Sequence, residues 1–181
     1  MTRAEDKTVL IAEDEPNVRI FLQTVLEDAG FKVLTAEDGE VAWKMIEEQK
    51  PDFISLDLVM PKISGRKLMR MIKSHEEYTK IPVLIVTAHA DDELGEVDES
   101  EILQSIWRPK SLEQGPGVFL RKPVKPWDYV SSIANELGVE ITDEVKSLFD
   151  TKDELENLSR RASPEALAAA LGVLKKDWEC K

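Results

Sequence analysis

The chain has 181 residues, 42% of them hydrophobic and 33% charged, with a formal net charge of −12. This composition belongs to a globular protein rather than a disordered one, with room for one domain and a smaller appendage. Binding to nucleic acid or to anionic membranes needs clustered Lys and Arg, so the acidic balance and the lack of any basic run exclude both as broad functions.

The first 138 residues alternate short apolar runs with helical periodicity. Val9–Ala12 reads as a strand, ending in Glu13-Asp14-Glu15. Val18, Phe21, Leu22, Val25, Leu26 and Ala29 then mark one helix face, closed by Gly30. Phe31–Thr35 is a second strand, and Val41, Ala42, Met45 and Ile46 mark a second helix that Pro51 ends. Phe53–Leu56 is a third strand, Leu68, Met71 and Ile72 line a third helix, and Ile81–Val86 is a fourth strand. Val118–Leu120 is a fifth, followed by a helix through Val130, Ile133, Ala134 and Leu137 that stops at Gly138. Such alternation predicts an α/β domain with a doubly wound parallel sheet, covered by helices on both faces.

Right-handed crossovers put every strand's C-terminal end on one edge, where open α/β sheets bind ligands. That edge would gather Glu13 and Asp14 from the first strand, Asp57 from the third, Thr87 from the fourth and Lys122 after the fifth. Taken singly, each acid would read as a solvated loop charge. Three carboxylates at one edge repel one another unless a cation sits among them, and hard carboxylate oxygens suit Mg²⁺. Such a site fits phosphoryl transfer, which depends on positioning and charge neutralisation. Asp57 would be the nucleophile, with the Lys122 ammonium and the Thr87 hydroxyl engaging the phosphoryl oxygens.

The segments VLIAEDE (Val9–Glu15), ISLDLVMP (Ile54–Pro61), IPVLIVTA (Ile81–Ala88) and VFLRKP (Val118–Pro123) occur in this order. In that set the chain resembles the response-regulator receiver domains of two-component signalling, over roughly residues 7–138. The resemblance implies a flavodoxin-like, five-stranded parallel sheet of order 2-1-3-4-5. It implies that Glu13, Asp14, Asp57 and the main-chain carbonyl of Val59 hold Mg²⁺, and that Asp57 is the phosphoacceptor. It gives Thr87 and Lys122 the phosphoryl group, makes Thr87 and Phe119 the switch pair, and matches Pro123 to a proline that often follows a cis bond. The expected donor is a sensor histidine kinase or a histidine phosphotransfer protein. Hydrolysis of the protein's own aspartyl phosphate would be slow, and no other enzymatic activity is expected. Val59 and His89 would restrict the attacking water, with slower loss of the phosphoryl group as the measurable consequence. His75 reads as a helix-end surface residue.

Two segments depart from that pattern. Residues 88–121, 34 in all, separate Thr87 from Lys122. An acidic insertion at about 89–117 holds a helix candidate opened by Asp98 and Glu101 and ended by Pro109. After Gly138, residues 139–181 carry ten acids against seven Lys and Arg. Thr142 and Thr151 are candidate N-caps, the latter with Glu154. Ser163-Pro164 opens a helix with an apolar stripe of Leu167, Ala170, Leu171, Leu174 and Trp178. We therefore expect a domain at 1–138 and a helical extension at 139–181. The stripe could bury itself on its own domain, in a homodimer or against an unidentified output protein. A DNA-binding transcription regulator is the first alternative, disfavoured because the acidic tail lacks a basic recognition helix. An aspartyl-nucleophile phosphatase is the second, disfavoured because Val59 stands where such enzymes place a second acid. The only cysteine, Cys180, and the absence of an apolar leader or membrane span make a cytoplasmic location the expectation.

Overall fold

The computed structural model describes residues 2–87 and 119–151. The expected insertion, His89, Glu154 and the apolar stripe at 167–178 lie outside the described residues, as does Val118. The chain divides into two compact units, Met1–Thr142 and Asp143–Lys181.

In the first unit a 3₁₀ turn, Ala4–Asp6, leads into β1 (Thr8–Ala12), α1 (Pro16–Asp28), β2 (Lys32–Ala36), α2 (Gly39–Gln49), β3 (Phe53–Leu56) and α3 (Gly65–Ser74). After these come β4 (Val83–Thr87), β5 (Phe119–Arg121) and α4 (Pro126–Leu137). All five strands are parallel, in the order β2-β1-β3-β4-β5 that the resemblance implied. β1, β3 and β4 are nearly continuous apolar runs because helices cover both faces of the sheet. Side chains alternate across it. Leu10, Ala12, Ile54 and Leu56 pack with Ala42 and Ile46 of α2 and Leu68, Met69 and Ile72 of α3. α1 and α4 pack on each other, burying Leu22, Val25 and Leu26 of one and Tyr129, Val130 and Ile133 of the other.

The local chemistry explains most boundaries. Pro16 and Pro126 occupy the first turns of α1 and α4, where a missing N–H costs no helical bond. Gly30, at φ 90°, lets the chain leave α1: its N–H donates to Glu27 and that of Phe31 to the Leu26 carbonyl. Phe31 is thereby part of the helix exit, and β2 starts one residue later than expected. β4 likewise starts at Val83, because the Ile81 N–H closes a turn onto Tyr78 and Pro82 has none.

Two expectations are corrected. Phe21, assigned to the buried face of α1, is 42% exposed, beside Ile20 at 60%. Thr151 does not cap a helix: residues 143–151 are helical, and its hydroxyl donates to the Ser147 carbonyl one turn back at 2.8 Å. Beyond Gly138, Val139 bridges to Thr2 and is buried. His75 ends α3 at the surface, with its ring stacked on Tyr78 at 5.7 Å.

Candidate functional site

The site forms where β1 and β3 end side by side. The Asp57 N–H donates to the Ala12 carbonyl at 2.9 Å and the Glu13 N–H to that of Ala36 at 3.1 Å, so the sheet's own ladder places both acids on its C-terminal edge. Glu13 and Asp57 are 1% and 5% exposed, and carboxylate oxygens of Glu13, Asp14 and Asp57 lie within 4.8 Å of one another. Arg19, reaching back from α1, donates to the carbonyls of Glu13 at 2.7 Å and Asp14 at 3.1 Å and so pins the acidic turn.

The Lys122 ammonium enters this cluster from the end of β5. Its Nζ lies 2.6 Å from Asp57 Oδ2 and 2.8 Å from Glu13 Oε1, with Glu15 farther out at 3.8 Å. The backbone secures it, since the Lys122 N–H donates to the Thr87 carbonyl at 3.1 Å. The bond to Pro123 is cis, in agreement with the resemblance. Thr87 itself is 1% exposed at the end of β4. Phe119 stands in β5 opposite Ile85 of β4.

One ammonium among three carboxylates leaves the cluster short of positive charge. Burial pushes the Glu13 carboxyl up to about 7; Lys122 opposes this and the Asp57 charge adds to it. Burial works against the Lys122 charge too, but the hydrogen bonds it donates to Asp57 and Glu13 outweigh it and raise its pKa. Three clustered hard-oxygen donors beside a cationic group match the donor set of a magnesium site, so the residues present fit that ion. Val59 belongs to the same neighbourhood: its N–H lies 3.2 Å from Asp57 Oδ1.

The structure thus brings together Glu13, Asp14, Asp57, Val59, Thr87 and Lys122, which lie far apart in sequence. Sequence reasoning missed Arg19, whose contact is a long side chain reaching two carbonyls and leaves no motif. It missed Asp38, a buried N-cap of α2, although Asp before Gly39 at a helix start was a readable signal. It also missed the wholly buried Tyr129 of α4, beside Ser55. Burial raises its phenol pKa, the Ser55 contact opposes this, and the Glu13 charge adds to the rise.

A parallel 2-1-3-4-5 sheet with an acidic triad and a lysine at its C-terminal edge defines a class of signalling module. The chain belongs to the response regulator receiver domain family, whose model matches residues 9–134. Among curated relatives, it is 34% identical over 127 residues to the phosphate regulon transcriptional regulatory protein PhoB of Pseudomonas aeruginosa, covering 70% of this chain and 50% of the relative. It is 33% identical over 121 residues to the alkaline phosphatase synthesis transcriptional regulatory protein PhoP of Bacillus subtilis, covering 67% and 44%. The chain therefore spans about half the length of these relatives.

Among solved structures, the signal receiver domain of a histidine kinase from Syntrophus aciditrophicus matches with TM-score 0.57 and 28% identity, over 76% of this chain and 95% of that one. The receiver domain of a Pseudomonas aeruginosa sensor histidine kinase shares the fold, with TM-score 0.58 and 24% identity over 73% and 98%. That structure holds a magnesium ion in its active-site cleft. Receiver domains bind Mg²⁺ at an acidic site and work with histidine kinases and output domains. No described helix of this chain is long and apolar enough to cross a membrane.

Proposed function

We propose that this receiver accepts a phosphoryl group on Asp57 from a sensor histidine kinase or a histidine phosphotransfer protein, in the presence of Mg²⁺. The observation that carries the reading is the Lys122 ammonium held between Asp57 and Glu13 at 2.6 and 2.8 Å, with Asp14 completing the acidic triad. A carboxylate oxygen of Asp57 attacks phosphorus, the new O–P bond replaces the donor's N–P bond, and the imidazole nitrogen leaves with the electron pair. Glu13, Asp14, Asp57 and the Val59 carbonyl would hold the cation, which neutralises the phosphoryl oxygens. Lys122 transfers its ammonium from the carboxylates to the phosphoryl group, and the Thr87 hydroxyl donates to it.

That transfer is what makes the modification a signal. Lys122 and Thr87 sit at the ends of β5 and β4, beside Phe119, so a change in their partners alters those two strands and whatever docks on them. The output is a protein contact or dimerisation. Ile20 and Phe21, exposed on α1 within two turns of the acidic cluster, give a donor protein an apolar surface near Asp57. Val59 stands two residues after Asp57, where an aspartyl-nucleophile phosphatase would place its second acid.

Acetyl phosphate with Mg²⁺, read by intact-mass measurement, tests the proposal. The expected result is a single phosphoryl adduct on the wild type that is lost in Asp57→Asn and in EDTA. An adduct that persists in Asp57→Asn overturns the assignment. Sustained turnover of a phosphate ester would overturn the receiver-only activity.

A further inference from the structure

The loop between β3 and α3 carries Val59 away from Asp57, and it is fastened at two places. Near the site, Gly65 lies so close to the Asp57 carbonyl that a side chain there would collide with it. Its N–H donates to the Leu58 carbonyl at 3.0 Å. At the loop's far side, Lys62 takes a left-handed φ of 62°, a conformation that favours glycine. Its Nζ lies 2.5 Å from Asp38 Oδ2. Next to it, the Ile63 carbonyl packs on Gly39, where a Cβ would overlap it.

Asp38 is a rigid anchor rather than a mobile surface acid. Its side chain is 3% exposed, and its Oδ1 accepts the N–H groups of Glu40 and Val41 at 2.8 and 2.9 Å as the N-cap of α2. Hydrogen bonding from Lys62, then from the Val41 N–H, holds its carboxyl below the usual range, so it stays charged. Lys62, by contrast, is 55% exposed, so the pair contributes little to global stability. A lysine kept in an unfavourable backbone conformation and aimed at a buried carboxylate points to a local task.

We infer that Asp38 and Lys62 are positioning residues for the cation: their ion pair tethers the loop at residues 58–64 to α2, so that Val59 presents its main chain to a metal beside Asp57. The inference rests on the Mg²⁺-dependent reading above. Residues that orient metal-binding groups without touching the ion act through its affinity, and their loss weakens binding by about tenfold or more.

Isothermal titration of Mg²⁺ into the metal-free protein, with thermal unfolding in EDTA as companion, tests it. Lys62→Met keeps the stem and removes the charge, while Asp38→Asn keeps a capping oxygen and removes the charge. Each should weaken Mg²⁺ binding on the order of tenfold, with unfolding temperature nearly unchanged. The double variant should be no worse than either single, because one pair is lost in all three. Lys62→Arg should restore affinity. Wild-type affinity in Lys62→Met overturns the inference, as does a loss that follows thermal stability and is not rescued by Arg. If the wild type takes up no Mg²⁺, the functional reading fails and the inference falls with it.

Discussion

Glu13 and Asp38 are buried alike, 1% and 2% exposed, yet their carboxyls move in opposite directions. Glu13 is pushed up to about 7, with burial as the largest cause, whereas Asp38 is held below its usual range, chiefly by Lys62. The difference lies in the supply of donors. At the start of α2, one carboxylate has two backbone amides to itself and an ammonium at 2.5 Å that Glu40 approaches only at 3.9 Å. At the sheet edge, Glu13 and Asp57 share the Lys122 ammonium, with the Asp14 carboxylate beside them. A buried acid with its own donors is a structural anchor. Buried acids sharing too few donors make a site that gains from a further cation.

Removing the shared ammonium should produce the largest effect. In Lys122→Met the metal-free protein should lose about 3 kcal/mol at pH 8, because breaking a buried pair strands its partners. Millimolar Mg²⁺ should restore most of the loss, since the ion supplies the missing positive charge. Urea unfolding with and without Mg²⁺ reads both quantities. An equal loss in the two conditions would show that Lys122 acts through packing and that the cluster has no demand for a cation.

The next effect is a pH dependence whose sign separates the two regions. Glu13 has its folded pKa raised from 4.5 to about 7. Its contribution to stability is therefore fully present below about 4.5 and is lost as pH rises through about 7. Asp38 is lowered, so its contribution is present above the usual carboxylate range and is lost only as pH falls through its folded value. In EDTA, unfolding temperature should decline between about pH 5 and pH 8 in the wild type, and Glu13→Gln should flatten that decline. Mg²⁺, which needs the ionised carboxylate, should bind more tightly across the same interval. A decline that survives in Glu13→Gln would place the titrating group elsewhere.

The parts of this arrangement that were legible in the sequence have a periodic or topological basis. Strand and helix order followed from apolar spacing, and the parallel sheet then brought Glu13, Asp14, Asp57, Thr87 and Lys122 to one edge without any contact information. What escaped was carried by single side chains crossing between elements. Arg19 reaches two carbonyls, and Lys62 reaches Asp38 from a residue of positive φ, a property no composition reveals. Phe21 was misplaced for a related reason: apolar periodicity marks a face wider than the stripe α1 buries, and residues at its margin stay in solvent.

The smallest effect is expected at the opposite end of the sheet, where the same residue types meet in the structural manner. Asp52, at the start of β3, lies 2.8 Å from Lys7 Nζ and accepts the Thr8 N–H at 2.9 Å. Burial raises its carboxyl pKa, but Lys7 and the Thr8 amide outweigh that and leave it lowered, so this acid follows Asp38 rather than Glu13. Both side chains are about one-third exposed or less, at 33% and 26%, and water screens the pair. Asp52→Asn should cost less than about 1 kcal/mol in urea unfolding. It should leave Mg²⁺ affinity and phosphoryl uptake at wild-type values. A carboxylate with an ammonium and an amide to itself has no unmet demand for a cation, so a change in Mg²⁺ affinity on its removal would break the distinction between shared and private donors.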